Sequence, residues 1–208
     1  MITGLEALGR LREGNRRFVA GEASSTTNAS EARRAALVTG QAPFAIILGC
    51  SDSRVPAELV FDQGFGDLFV IRVAGNVVAP SQVGSVEFAA ARFGTRLVVV
   101  LGHSDCGVVV ATVEELTGEA TAQSKNLRSI VDRVRPTIET LVEVAGGDRK
   151  ALIREGVRAN VRASADHLRH GSELLENLIR HDGLVVVGAE YSLETGIVDF
   201  FDGVPPGG

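Results

Sequence analysis

Tryptophan is absent from the 208 residues, methionine and tyrosine occur once each, and cysteine occurs twice. Two cysteines cannot build a disulfide framework. The longest apolar runs, Phe44–Leu48 and Leu97–Leu101, are five residues each, against about 20 for a membrane-spanning helix, so no membrane partner is expected. No block of lysine and arginine is present and the formal net charge is −5, which argues against nucleic acid as a partner. Glu6, Arg10, Arg12 and Glu13 near the amino terminus do not resemble an export signal, and a cytoplasmic location is expected. Hydrophobic residues make up 45% and charged residues 23%, the balance of a globular chain long enough to bury its own core. Residues 1–208 read as a single domain, and the two cysteines become the residues of interest.

Residues 4–19 carry Leu5, Leu8, Leu11 and Phe18 at near-helical spacing, and Ala29–Val38 opens on Ser30 and Glu31 as a capped helix would. Gly21–Thr27 between them reads as a loop. This helical arm, residues 1–40, is amphipathic and needs the main body or a neighbouring subunit to cover its stripe. From Pro43 onward the short apolar runs Phe44–Leu48, Leu68–Val73, Leu97–Leu101 and Leu184–Val187 alternate with helical stretches at Ser81–Phe93, Glu139–Val144, Lys150–Arg162 and Ser172–His181. Short continuous apolar runs of this kind predict an α/β fold with a mostly parallel central sheet flanked by helices. Ile197–Phe200 reads as an edge strand and residues 204–208 as a loose tail.

In open α/β sheets ligands bind beyond the carboxyl ends of the strands, and both cysteines stand there. Cys50 follows the first run in Gly-Cys-Ser-Asp-Ser-Arg, and Cys106 follows the third in Gly-His-Ser-Asp-Cys-Gly, with His103 beside it. Two thiols and an imidazole form a good zinc set, and three protein ligands leave a fourth coordination position open. Each residue also has an ordinary explanation, since lone cysteines and histidines at such positions are commonly core. The spacing alone does not separate a catalytic metal from a structural one. Asp52 and Arg54, two and four residues beyond Cys50, add a carboxylate that an arginine can hold with two prongs.

Cys50-Ser51-Asp52-Ser53-Arg54-Val55-Pro56 and His103-Ser104-Asp105-Cys106-Gly107 together resemble the β-class carbonic anhydrases. Arg72-Val73-Ala74-Gly75-Asn76 and Val86-Glu87-Phe88 resemble two further stretches of that family. The resemblance implies a zinc enzyme that interconverts carbon dioxide and bicarbonate, working as a homodimer or homotetramer, with the N-terminal helices packed on the neighbouring subunit. It implies Cys50, His103 and Cys106 as zinc ligands, Asp52 and Arg54 as a catalytic pair, and Gln41 as a donor to substrate. Phe69, Phe88 and Gly107 fall at substrate-pocket positions. Some relatives act on carbon disulfide or carbonyl sulfide instead, and a non-catalytic zinc protein is a third reading. In one branch the aspartate leaves its arginine and becomes the fourth zinc ligand of an inactive state. That switch goes with a tryptophan–arginine–tyrosine pocket, for which this chain offers Arg72 and Tyr191 but has Ile47 in the tryptophan position.

Overall fold

The computed structural model describes residues 2–24, 30–120, 124–144 and 147–206. Parts of the expected loop at 21–27, the start of the helix at Ala29 and the last two residues of the tail lie outside them. Strands β1 (Ala45–Gly49), β2 (Leu68–Arg72), β3 (Leu97–His103) and β4 (Val185–Tyr191) are parallel, and β5 (Val198–Asp202) runs antiparallel along one edge, in the order β2-β1-β3-β4-β5. Every residue of β1 and β3 is buried. The two faces of β3 separate with a period of two, as strand geometry requires. Leu97, Val99 and Leu101 pack on one side with Leu8, Leu11 and Phe61, while Val98 and Val100 pack on the other with Val86, Leu168 and Leu175.

The helices follow as α1 (Gly4–Ala20), α2 (Glu31–Ala36), α3 (Ala57–Val60), α4 (Pro80–Arg92), α5 (Gly107–Leu116), α6 (Lys125–Val144), α7 (Arg149–His170) and α8 (Glu173–His181). Local chemistry fixes the start and stop of α1. Thr3 and Glu6 form a reciprocal capping box, and Gly21 at φ +74 closes the last turn through its N–H to the carbonyls of Arg17 and Phe18. Ser30, Asp148 and Ser172 cap α2, α7 and α8 more simply, each side chain accepting one backbone N–H of the first turn, from Arg33, Ala151 and Leu175.

Of the two surfaces open to the stripe of α1, the main body covers it: Ala7, Leu8 and Leu11 are fully buried against the chain's own sheet, while Leu5 is exposed. It is α2 that has no buried residue, held beside β2 by Arg33, which donates to the Phe65 carbonyl at 3.0 Å and to Asp67 at 2.9 Å. The helices expected at 139–144 and 150–162 are much longer, 20 and 22 residues. Pro136 sits inside α6 without ending it, because Val131, Val134 and Ile138 bury the inner face of that helix on both sides of the proline.

Candidate metal centre

The parallel order sends the carboxyl ends of β1 and β3, which are direct neighbours, to one edge of the sheet. Cys50 is the first residue past β1, His103 is the last of β3, and Cys106 is the N-cap of α5. Asp105 reaches φ +53 to turn the chain between His103 and Cys106, a left-handed conformation that aspartate tolerates better than most residues. All three side chains are buried, and one ligand atom from each lies within 4.8 Å of the others. A tetrahedral zinc with bonds of about 2.3 Å to sulfur and 2.0–2.1 Å to nitrogen spaces its ligand atoms by roughly 3.5–3.8 Å, so the three donors already stand near the required distances.

The histidine is presented in the tautomer a metal needs. Its Nδ1 lies 2.9 Å from the Ser104 carbonyl, an acceptor only, so Nδ1 carries the proton and Nε2 keeps its lone pair. Nε2 is buried and has no hydrogen-bond partner among the described residues. A buried nitrogen with a free lone pair next to two free thiols is the donor set of a metal site. The neighbouring Cys106 thiol holds the Cys50 thiol well below its usual range in spite of burial, with His103 adding to the effect. The same contact, together with burial, pushes the Cys106 thiol up, while the amides of Val108 and Val109 at the start of α5 work the other way. For His103 burial opposes a charge, but the Cys50 sulfur and Asp52 outweigh it and raise its pKa. Thiolate and imidazole are the donors zinc selects, and the site fits that ion.

Beside the three donors, Arg54 grips Asp52 with both prongs, Nε to Oδ1 at 2.9 Å and Nη2 to Oδ2 at 2.7 Å, and its own backbone N–H adds a third bond. These hydrogen bonds hold the Asp52 carboxyl well below the usual carboxylate range. Asp52 Oδ2 lies 3.8 Å from His103 Nε2, facing the space between the ligands. Arg72 ties down the same turn, donating to the carbonyls of Cys50 at 3.0 Å and Asp52 at 2.6 Å. Tyr191 is buried opposite His103 on β4, and Ile47 is fully buried in β1.

The remaining expected residues are not all brought here. Gly107, first residue of α5, is exposed beside Cys106. Gln41 is exposed ahead of β1, and the five residues of that strand separate it from Cys50 by roughly 16 Å at about 3.3 Å per residue. Phe69 and Phe88 also belong to the amino end of the sheet, where their rings stand 6.2 Å apart and both pack on Phe93. None of these three reaches the metal donors of its own chain. One contributor was invisible as a side chain: the Gly75 N–H donates to Cys50 Sγ at 3.3 Å. The Arg-Val-Ala-Gly-Asn stretch marked the segment, but a backbone donor has no residue type to read.

Comparison with known proteins agrees with this geometry. The carbonic anhydrase family model matches residues 45–198. The chain is 38% identical over 186 residues to carbonic anhydrase 2 of Mycobacterium tuberculosis, covering 89% of this chain and 87% of that one. It is 40% identical over 189 residues to the carbonic anhydrase of Mycolicibacterium smegmatis, covering 91% and 89%. Among solved structures it resembles a β-carbonic anhydrase of Aspergillus fumigatus with a TM-score of 0.74 at 26% identity, over 83% of this chain and 82% of that one. It also resembles one of two tetrameric β-carbonic anhydrases of Sordaria macrospora, with a TM-score of 0.72 at 25% identity over 81% and 85%.

Proposed function

The chain belongs to the β class of the carbonic anhydrase family, and from that membership we infer how its residues divide the work. It is an enzyme, a carbonate dehydratase that converts carbon dioxide and water to bicarbonate and a proton, with zinc as cofactor. Cys50, His103 and Cys106 hold the ion. Zinc bound there supplies Lewis-acid activation of water for attack on carbon dioxide. The observation that carries this reading is the convergence of three buried donors, one of them an orphaned imidazole nitrogen, against an ionised Asp52.

Two thiolates cancel the charge of a divalent ion, so the surrounding residues have more to contribute than around a cationic centre. Asp52 is held ionised and cannot rotate freely while Arg54 occupies both its oxygens. It accepts the hydrogen bond of the attacking water and so aims the lone pair at carbon dioxide. To become a fourth ligand it would first have to give up the Arg54 fork, and the paired arrangement is the working one. Gly107 keeps the wall beside Cys106 open for substrate. Gln41 donates to the oxygen that gains charge as bicarbonate forms, and Phe69 and Phe88 wall the apolar pocket. Because these three belong to the opposite end of the sheet, they serve the site of a second copy. That reading makes the enzyme a homo-oligomer of two or four chains, in keeping with the tetrameric relatives from Sordaria macrospora. Two cysteines that must stay reduced to hold the ion suit a reducing compartment, which supports a cytoplasmic location.

Asp52→Asn tests the catalytic assignment. The variant keeps the shape and loses the charge, so zinc content should persist while carbon dioxide hydration in a stopped-flow assay falls by roughly a hundredfold or more. Undiminished turnover would remove Asp52 from the reaction.

A further inference from the structure

The segment that follows β2 is shaped to deliver one backbone N–H to one sulfur. Residues 74–76 form a single 3-10 turn, with the Asn76 N–H on the Val73 carbonyl at 3.0 Å and the Val73 N–H on the Gly49 carbonyl at 3.1 Å. Gly75 sits at φ +70, and a Cβ there would come within 2.9 Å of Val108. Glycine is therefore required, and its permissive backbone leaves the direction of its N–H weakly determined by the turn itself. The restraint comes from α7. Asn160 and Ser164 stand one helical turn apart on the buried face of that helix, only 3% and 5% exposed. Asn160 Nδ2 donates to the Gly75 carbonyl at 2.8 Å and Ser164 Oγ donates to the Asn76 carbonyl at 3.1 Å. Two polar side chains on an otherwise apolar face thus clamp consecutive carbonyls of the turn whose N–H reaches Cys50 Sγ.

We propose that Asn160 and Ser164 are positioning residues for the metal centre, aiming the Gly75 N–H at the Cys50 sulfur and so setting how firmly that sulfur holds zinc. The inference rests on Cys50 being a zinc ligand. Metal binding requires the thiolate, and a buried thiolate without a donor costs more to form. Partners of this outer kind commonly change metal affinity by about 10–100-fold when removed.

The test uses Asn160→Asp, which keeps the shape and loses the donor, and Ser164→Ala, which loses only a hydroxyl. Zinc affinity is measured by competition with a chelator, and the sulfur-to-metal charge-transfer band is recorded on cobalt-loaded protein. Zinc binding should weaken by about tenfold in Asn160→Asp and less in Ser164→Ala, with the band shifted in both. If Asn160→Asp does not fold, Ser164→Ala decides by the same two measurements. Full zinc affinity and an unshifted band, with only the melting temperature lowered, would make both side chains ordinary core hydrogen bonds and overturn the proposal. Parental protein that binds no zinc would overturn the ligand assignment itself, whereas parent and variants that bind equally well would overturn this inference alone.

Discussion

Gly107 and Gly75 show how differently two glycines beside the same three donors are determined. A Cβ on Gly75 meets Val108, whereas a Cβ on Gly107 meets nothing beyond its own turn within 4 Å among the described residues. Alanine is the better helix former, so folding gains nothing from glycine at the first position of α5. Gly107→Ala should keep zinc and the melting temperature while hydration falls by roughly tenfold, which corresponds to about 1.4 kcal/mol in the transition state. Unchanged turnover, measured beside an intact zinc content, would take Gly107 out of the substrate pocket. At this scale the three donors and the Asp52–Arg54 pair were legible because each carries its chemistry in a side chain at a strand end. The amide of Gly75 and the two donors from α7 were not. Asn160 and Ser164 read as ordinary helix residues until the fold brings them against residues 75 and 76, about 85 positions earlier in the chain.

Among the elements, the strands were the most readable, since β1 and β3 are buried on both faces and appear as unbroken apolar runs. Helix lengths were less so. A proline inside a helix ordinarily kinks or ends it, yet the buried faces of Val131, Val134 and Ile138 carry α6 through Pro136. The run Val108–Val113 hid α5 because an apolar stretch that short has no distinguishing period. The arm was read correctly as amphipathic, but its stripe is covered by the chain itself. That has a measurable consequence. Leu11 is fully buried in the cluster that joins α1 to the sheet, so Leu11→Ala should cost about 2–5 kcal/mol, seen as a lower denaturant midpoint. Zinc content should not change, because α1 provides none of the donors. A variant with parental stability would mean that α1 does not pack on its own sheet in solution.

For the whole molecule, the separation of Gln41 from the metal donors of its own chain decides between a self-sufficient subunit and a shared site. Gln41→Ala and Asp52→Asn damage different ends of the sheet. If Gln41 serves a second copy, co-expressed chains carrying the two substitutions form mixed oligomers in which some sites hold both an intact Asp52 and an intact Gln41. Hydration should then exceed that of either variant alone, and light scattering should report more than one chain per particle. No gain on mixing would confine Gln41 to its own subunit and remove it from the reaction. Sequence could suggest that residue by resemblance but could not give its distance from Cys50, which depends on the direction of β1. The proposed function depends on Cys50, His103 and Cys106 holding the zinc with which this chain hydrates carbon dioxide. It is tested most directly by measuring bound zinc and stopped-flow hydration on the same preparations of the parent and of Cys106→Ser, since an un-ionised hydroxyl is a poor ligand for zinc. Stoichiometric zinc with hydration activity is expected in the parent and the loss of both in Cys106→Ser; full zinc and full activity in that variant would take Cys106 out of the ligand set.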